Sequence, residues 1–320
     1  MVVMVKINKK MIKIIKYIER KVLPDKIDFS LKFRRAFGRW INWENPKSFN
    51  EKIIWRIIYD KNPIYTLLSD KYSVRDYVEE KIGGKYLVPL LFVGEPKDID
   101  FSSLKPPFII KTNHTVGNYC FVGNSEIYKN LDKKKTINYF SKMLKKNYYV
   151  LSREWQYKNI MPLVIVEKFL LPKKMNEIRP LSDYKFHCFN GKVAFISVDF
   201  DKKEHKEHSF EFLRCCFDRE GNCLPFTYGY EQKYYNTITD IENISKKKFN
   251  EMINVAERLS NGFDYVRVDL YCVDEKVYFG EFTFTPTCGF GKFNPAHWDY
   301  HFGSLWKIKN EQNRKNKHLI

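Results

Sequence analysis

The sequence predicts an α+β fold, and three observations carry that expectation. Short apolar runs ending in polar residues recur along the chain, as in Phe108-Ile109-Ile110-Lys111 and Leu163-Val164-Ile165-Val166, the mark of buried strands leaving a core. Asn190-Gly191 between two alternating segments is a strong hairpin signal. Other stretches carry apolar residues at helical spacing: Ile53, Ile54, Ile57 and Ile58 behind a Ser48/Glu51 capping box, and Phe249, Met252, Ile253, Ala256 and Leu259 further on.

Composition narrows the class. The 320 residues are 44% apolar and 17% aromatic, which excludes a disordered chain and leaves room for two to three structural units. The net charge of +18 implies attraction to anions. The basic residues are dispersed, as in Lys9-Lys10, Lys133-Lys134-Lys135 and Lys246-Lys247-Lys248. Without zinc-ligand spacing or a nucleic-acid module beside them they read as solvated faces, and no nucleic-acid partner is expected. Seven cysteines, with Cys215 and Cys216 adjacent, form no framework spacing and suit reduced thiols in the cytoplasm. No run reaches the roughly eighteen apolar residues of a membrane span. The N-terminus through Arg20 mixes Ile, Met and Val with Lys too closely for a signal peptide. It either packs on its own domain or touches an anionic membrane surface at the inner face.

In chain order, a basic helix and an aromatic, Arg-rich segment occupy the first 45 or so residues. The helix capped by Ser48 follows. A second helix is expected from Pro63 through Leu67, Tyr72, Val74 and Val78 to Gly83-Gly84. The strand ending at Lys111 leads into Thr112-Asn113-His114-Thr115-Val116-Gly117-Asn118. This is either a phosphate cradle, with loop amides and the ammonium meeting an anion, or an ordinary strand exit. His114 accordingly serves the loop's hydrogen bonds or a phosphate. A lysine-rich helix capped by Asp132 buries Ile137, Phe140, Met143 and Leu144. The apolar strand at 163–166 runs into Glu167-Lys168, which is either a hinge facing an adenine edge or a strand end reaching water. Asp183, Lys185 and His187 share one face of an alternating strand. Residues 199–208, dense in charge and histidine, are expected as a loop. The helix from Ser245 to Ser260 ends at Asn261-Gly262, and the tail after Trp306 is polar and basic.

The most informative stretch is 265–287. Arg267 and Asp269 share a face of one β-rich run, and Glu281 and Thr283 share a face of the next. A three-residue loop at Asp274-Glu275-Lys276 sets Asp269 opposite Glu281, Arg267 opposite Thr283 and Tyr271 opposite Phe279. It leaves Val268, Leu270, Cys272, Tyr278 and Phe282 for the core. Two carboxylates directly opposite repel unless a cation lies between them. The hairpin is therefore a divalent-metal platform suited to Mg²⁺, or else a solvent face with scattered charges.

Lys111-Thr112-Asn113-His114, Asp183-Tyr184-Lys185, Arg267-Val268-Asp269-Leu270-Tyr271 and Phe279-Gly280-Glu281-Phe282-Thr283-Phe284-Thr285-Pro286, in that order, resemble the ATP-grasp superfamily. Within it the chain is similar to the TupA-like branch linked to teichuronopeptide and other surface-polysaccharide synthesis. The resemblance covers residues 45 to 305. It implies an ATP-grasp fold, two α+β subdomains clasping ATP, behind a helical N-terminal extension. The corresponding divisions are 1–85 for the helical region, 86–166 for the small subdomain, 167–306 for the large subdomain and 307–320 for a basic tail. By position it implies ATP contacts for Lys111, His114, Glu167, Lys168 and Asp183, magnesium ligands at Asp269, Glu281 and Thr283, and catalytic roles for Arg267 and Lys185. Thr283 departs from the asparagine usual there, and a hydroxyl is a weaker ligand than an amide carbonyl. The implied activity is ATP- and Mg²⁺-dependent ligation of a carboxylate, such as a uronic acid of a cell-surface glycan or its precursor, to an amine through an acylphosphate. The alternatives are a kinase or a glycosyltransferase of the same pathway, the latter on the Asp199-Phe200-Asp201 spelling. Peripheral contact with the membrane or with glycan-assembly enzymes goes with it.

Overall fold

The computed structural model describes residues 23–172, 181–205, 209–229 and 244–308. The basic helix expected through Arg20, and the tail past 308, lie outside these. Helices α1 (Asp25–Phe37), α2 (Phe49–Tyr59), α3 (Pro63–Ser69) and α4 (Val74–Ile82) form the N-terminal region. Helix α2 starts on the expected reciprocal capping box of Ser48 and Glu51. The single helix expected from Pro63 is instead two. Asp70 accepts from Tyr72 N and Ser73 Oγ, each at 2.8 Å, and this side-chain turn competes with helical hydrogen bonding. Lys71 sits in the break.

A four-stranded antiparallel sheet follows, in the order β1-β4-β2-β3: β1 (Leu90–Gly94), β2 (Phe108–Thr112), β3 (Tyr119–Val122) and β4 (Val164–Lys168). Short helices α5 (Ser125–Lys129) and α7 (Tyr148–Ser152) flank α6 (Lys133–Leu144), whose Phe140 packs with Phe108, Ile110, Val122, Val164 and Val166. Strand β4 pairs through Lys168 with β2, so the division drawn at 166/167 falls inside a strand.

The second sheet is five-stranded and antiparallel, in the order β10-β9-β5-β6-β7: β5 (Asp183–Phe189), β6 (Lys192–His205), β7 (Ser209–Phe217), β9 (Tyr265–Val273) and β10 (Lys276–Thr283). Of the loop expected at 199–208, residues 199–205 are strand and 206–208 lie outside the described residues. Asp199 pairs with Arg214 and Phe200 with Leu213, and the backbone ladder overrides the charged composition. A two-stranded ribbon of β8 (Thr227–Gly229) and β11 (Lys292–Asn294) lies beside it.

One face of this sheet is apolar and covered by α8 (Lys246–Ser260), which sets Met252, Ile253, Ala256 and Leu259 against Phe186, Cys188, Val268 and Leu270. Each fully buried side chain of this kind contributes about 2 kcal/mol over exposure. The other face divides along the strands. At one end Phe189, Phe195 and Tyr265 pack with Phe49 and Ile53 of α2, with Trp306, and with Phe302 of α9 (His297–Leu305). At the other end it carries charge. Arg56 of α2 crosses beneath the junction: fully buried, it donates to the carbonyls of Tyr265 (2.8 Å) and Phe284 (3.2 Å), pairs with Asp264, and lies 4.2 Å from the Trp306 ring centroid. Among the described residues no helix is long and apolar enough to cross a membrane.

Candidate active site

The charged end of the sheet face is built on the β9–β10 hairpin, and its turn differs from expectation. Asp274 and Glu275 both have positive φ (48° and 59°), and Lys276 pairs with Val273. This is a two-residue turn of the primed kind, which alone would give the wrong parity. A bulge between Phe279 and Glu281 restores it, so Asp269 still faces Glu281 and Arg267 still faces Thr283. Tyr271 faces Tyr278 rather than Phe279. Val277 and Phe279 consequently join the core, and Tyr278 does not. Gly280 makes the bulge possible: a Cβ there would lie 2.9 Å from a Tyr271 ring carbon and 3.1 Å from the Asp269 carbonyl oxygen.

Arg267 lies between the two carboxylates. Its Nε and Nη2 donate to the two oxygens of Asp269, both at 2.6 Å, and Nη2 is 3.4 Å from Glu281 Oε1. Burial works against the arginine's charge, but Asp269 and Glu281 outweigh it and push the pKa higher still. Burial likewise pushes Asp269 up, opposed by Arg267 and Lys185. Lys185, one strand over, is 2.8 Å from Asp183, 3.2 Å from Asp199 and 3.8 Å from Asp269. Its burial would lower the ammonium pKa, and these acids reverse that. The Tyr271 hydroxyl donates to Asp183, and Thr283 Oγ1 lies 3.5 Å from Glu281 Oε1.

Beside this face is a cavity of about 370 Å³ between the two sheets, bounded by Lys111, Glu167, Lys168, Asp183 and Glu281 among others. Its apolar wall includes Val88, Ile109, Phe121, Phe169 and Leu170. Lys111 Nζ is 2.6 Å from Glu167 Oε2. The hinge expectation needs revising in detail, since the amides of Lys168 and Phe169 already donate to the carbonyls of Pro89 (3.0 Å) and Pro107 (3.1 Å). The wall therefore continues along Phe169 and Leu170.

Of the residues singled out in the sequence, Lys111, Glu167, Lys168, Asp183 and Glu281 line the cavity, while Asp269, Arg267, Lys185 and Thr283 share the adjoining face. His114 does not join them. It is buried beneath the loop, with Nε2 3.1 Å from the Lys146 carbonyl and Nδ1 3.3 Å from Asn113 Oδ1. Two cavity residues had no sequence signal. Lys71, in the α3–α4 break, donates to the Thr115 carbonyl at 2.8 Å, and burial lowers its pKa. Arg75 reaches Glu167 (3.3 Å) and the Val88 carbonyl (2.9 Å). Asn113 ties the loop to the same break through Asp70, at 2.8 Å.

Among the described residues no group of three or more His, Cys, Asp or Glu is arranged to hold a metal ion. A pair of carboxylates with a neighbouring hydroxyl is nonetheless the donor set that suits Mg²⁺, which takes few protein oxygens and completes its shell with water and phosphate. Asp269, Glu281 and Thr283 fit that chemistry.

No curated protein sequence matches the chain. Among solved structures it is similar to D-alanine–D-alanine ligase from Bacillus anthracis, at 14% identity over 69% of this chain and 58% of that one, with a TM-score of 0.37. It is similar to L-amino acid ligase from Bacillus licheniformis, at 11% identity, 80% and 53% coverage and a TM-score of 0.40. It is also similar to the ATP-grasp ligase PsnB, solved with a phosphomimetic variant of its minimal precursor, Mg and ADP, at 9% identity, 70% and 53% coverage and a TM-score of 0.39. The chain thus spans between half and three fifths of the length of these structures. The family described as TupA-like ATP-grasp matches residues 51–307, four fifths of the sequence. The chain belongs to the TupA-like ATP-grasp family.

Proposed function

We propose that the chain is an ATP- and Mg²⁺-dependent carboxylate-amine ligase that modifies a uronic acid of a cell-surface polysaccharide or its precursor. The observation that carries this is Arg267 between Asp269 and Glu281, on a face that opens beside a cavity presenting Lys71 and Lys111. The base occupies the apolar slot of Ile109, Phe121 and Phe169, and the phosphates run toward the two lysines. Magnesium held at Asp269, Glu281 and Thr283 supplies charge neutralisation at those phosphates. Phosphoryl transfer needs positioning and electrostatic stabilisation more than a protein nucleophile. A substrate carboxylate oxygen attacks the γ-phosphorus, and ADP departs. The amine then attacks the acyl carbon, phosphate leaves, and the amine's proton goes to solvent. Arg267 and Lys185 hold the charge that develops on the phosphoryl and acyl oxygens. We place the reaction in the cytoplasm, where ATP is available and where chains without disulfides, such as this one, are the rule.

The test is product analysis with uronic acids and small amines or amino acids. ADP should form with amide only when both substrates are present, and Asp269→Asn should abolish it. ADP formed with a phosphorylated sugar and no amide would replace ligase by kinase. The glycosyltransferase alternative finds less support, because Asp199 is not among the residues lining the cavity.

A further inference from the structure

A row of opposite charges crosses all five strands of the second sheet: Glu281 on β10, Arg267 and Asp269 on β9, Lys185 and Asp183 on β5, Asp199 on β6 and Arg214 on β7. Its first half belongs to the candidate site. Asp199 and Arg214 do not line the nucleotide cavity, yet Asp199 is buried and only 9% of the Arg214 side chain is exposed, and withdrawing two charges from water is unfavourable unless both are fully paired. They are. Arg214 Nε and Nη2 fork onto Asp199 Oδ1 (2.5 Å) and Oδ2 (2.8 Å), and Nη1 donates to the Tyr228 carbonyl of β8 at 3.0 Å. Asp199 Oδ2 then receives Lys185 at 3.2 Å.

The three acids around Lys185 are not equivalent. Asp269 also pairs with Arg267 and is a candidate metal ligand, and Asp183 borders the cavity. Both would have to give up some of these contacts to take nucleotide or metal. Asp199 is fixed from behind by a bidentate arginine anchored on the backbone of the neighbouring ribbon. A lysine side chain has four rotatable carbons and no preferred fork geometry, so its ammonium stays where its most rigid partner holds it.

We propose that Asp199 and Arg214 are positioning residues, which hold the Lys185 ammonium on the sheet face where it meets the transferred phosphoryl group. The inference rests on the reading of the cavity as an ATP site. It also explains a glycine. A Cβ at Gly229, whose φ is +98°, would lie 2.4 Å from Arg214 Nη1, so only glycine leaves room for the arginine to reach the Tyr228 carbonyl. Gly229→Ala disturbs the anchor while leaving every charge of the row in place.

The test compares binding of Mg-ADP alone with binding of Mg-ADP plus aluminium fluoride, a mimic of the phosphoryl in flight, by calorimetry on the full chain. In Asp199→Asn and Arg214→Lys, the latter keeping the charge but losing the fork, ADP should bind within about twofold of wild type. The aluminium fluoride complex should weaken by about 100-fold, the scale of a 1 Å misplacement of a catalytic group. Gly229→Ala should follow in the same direction with a smaller loss. Equal losses for both ligands would mean a merely structural role and overturn the inference. So would a wild-type ratio in Arg214→Lys and Gly229→Ala, the variants that retain the row's charges if Asp199→Asn fails to fold. Absence of Mg-ADP binding to the wild type would overturn the ATP reading and the inference with it.

Discussion

The two faces of the five-stranded sheet are buried by different means. Under α8 the side chains are Phe186, Cys188, Val268 and Leu270, and any similar apolar set of the same volume would serve. On the opposite face, at alternate strand positions, Lys185, Asp199 and Asp269 are buried as charges paired with one another and with the half-buried Asp183 and Arg267. Hydrophobic burial stabilises wherever it occurs. Charge burial costs desolvation that replacement by apolar residues of equal shape would avoid. A fold gains nothing from such a row unless the row does something else, and this separates the working face from the supporting one.

Substitutions on the two faces should therefore separate activity from stability. The largest expected effect is on the charged face. Glu281→Gln should reduce turnover about 1000-fold, or about 4 kcal/mol in the barrier, with an unchanged denaturation midpoint; a wild-type rate would remove Glu281 from the site. On the apolar face, Leu259→Ala should cost about 3 kcal/mol of stability by urea denaturation, with turnover per folded molecule unchanged. Gly280→Ala couples the two faces. Its Cβ would crowd Tyr271 and the Asp269 carbonyl, so it should lose about 2 kcal/mol and also lower turnover. A stable and active variant would argue against the bulge as the register device.

The smallest effect is in pH. His187 sits where the charged and aromatic halves of the face meet, 3.0 Å from the Tyr265 hydroxyl and stacked on Phe195. Burial, with Arg267, Arg214 and Lys185 adding to it, holds its pKa well below 6.5. The unfolded chain takes up a proton as pH falls through about 6.5 and the folded chain does not. Stability should accordingly decline below that pH by up to about 1.4 kcal/mol per unit, and His187→Gln should flatten this part of the curve in urea titrations at pH 7.5 and 5.5.

What was legible in the sequence divides along similar lines. The helix periodicities, the capping box and the apolar runs were readable because each is a local signal. The shared faces of Asp183 with Lys185 and of Arg267 with Asp269 are readable from strand alternation, whereas grouping them with Lys111 and Glu281 rests on the family resemblance. The turn of the β9–β10 hairpin was misread, since parity fixes only a sum: one residue fewer in the turn and one more in the bulge leave Asp269 facing Glu281. Gly280, a glycine inside a strand, was the available clue. Lys71 lies 44 residues before its partner Thr115 and Arg75 lies 92 before Glu167, in a helical stretch without chemistry of its own. Only tertiary packing brings them to the cavity. Residues 199–208 have the composition of a loop, and through His205 a ladder with β7 decides otherwise.

Arg56 has a consequence for mobility. One guanidinium grips the roots of both strands that carry Arg267, Asp269, Glu281 and Thr283, through the carbonyls of Tyr265 and Phe284. The hairpin cannot tilt without carrying α2 along. In native-state amide exchange, the roots of β9 and β10 should therefore belong to the slowest-exchanging unit of the chain and share their opening free energy with α2. The tip at Asp274-Glu275, tied to α8 through an exposed hydrogen bond from Ser245 Oγ to Glu275 Oε2 at 2.6 Å, should exchange by local fraying.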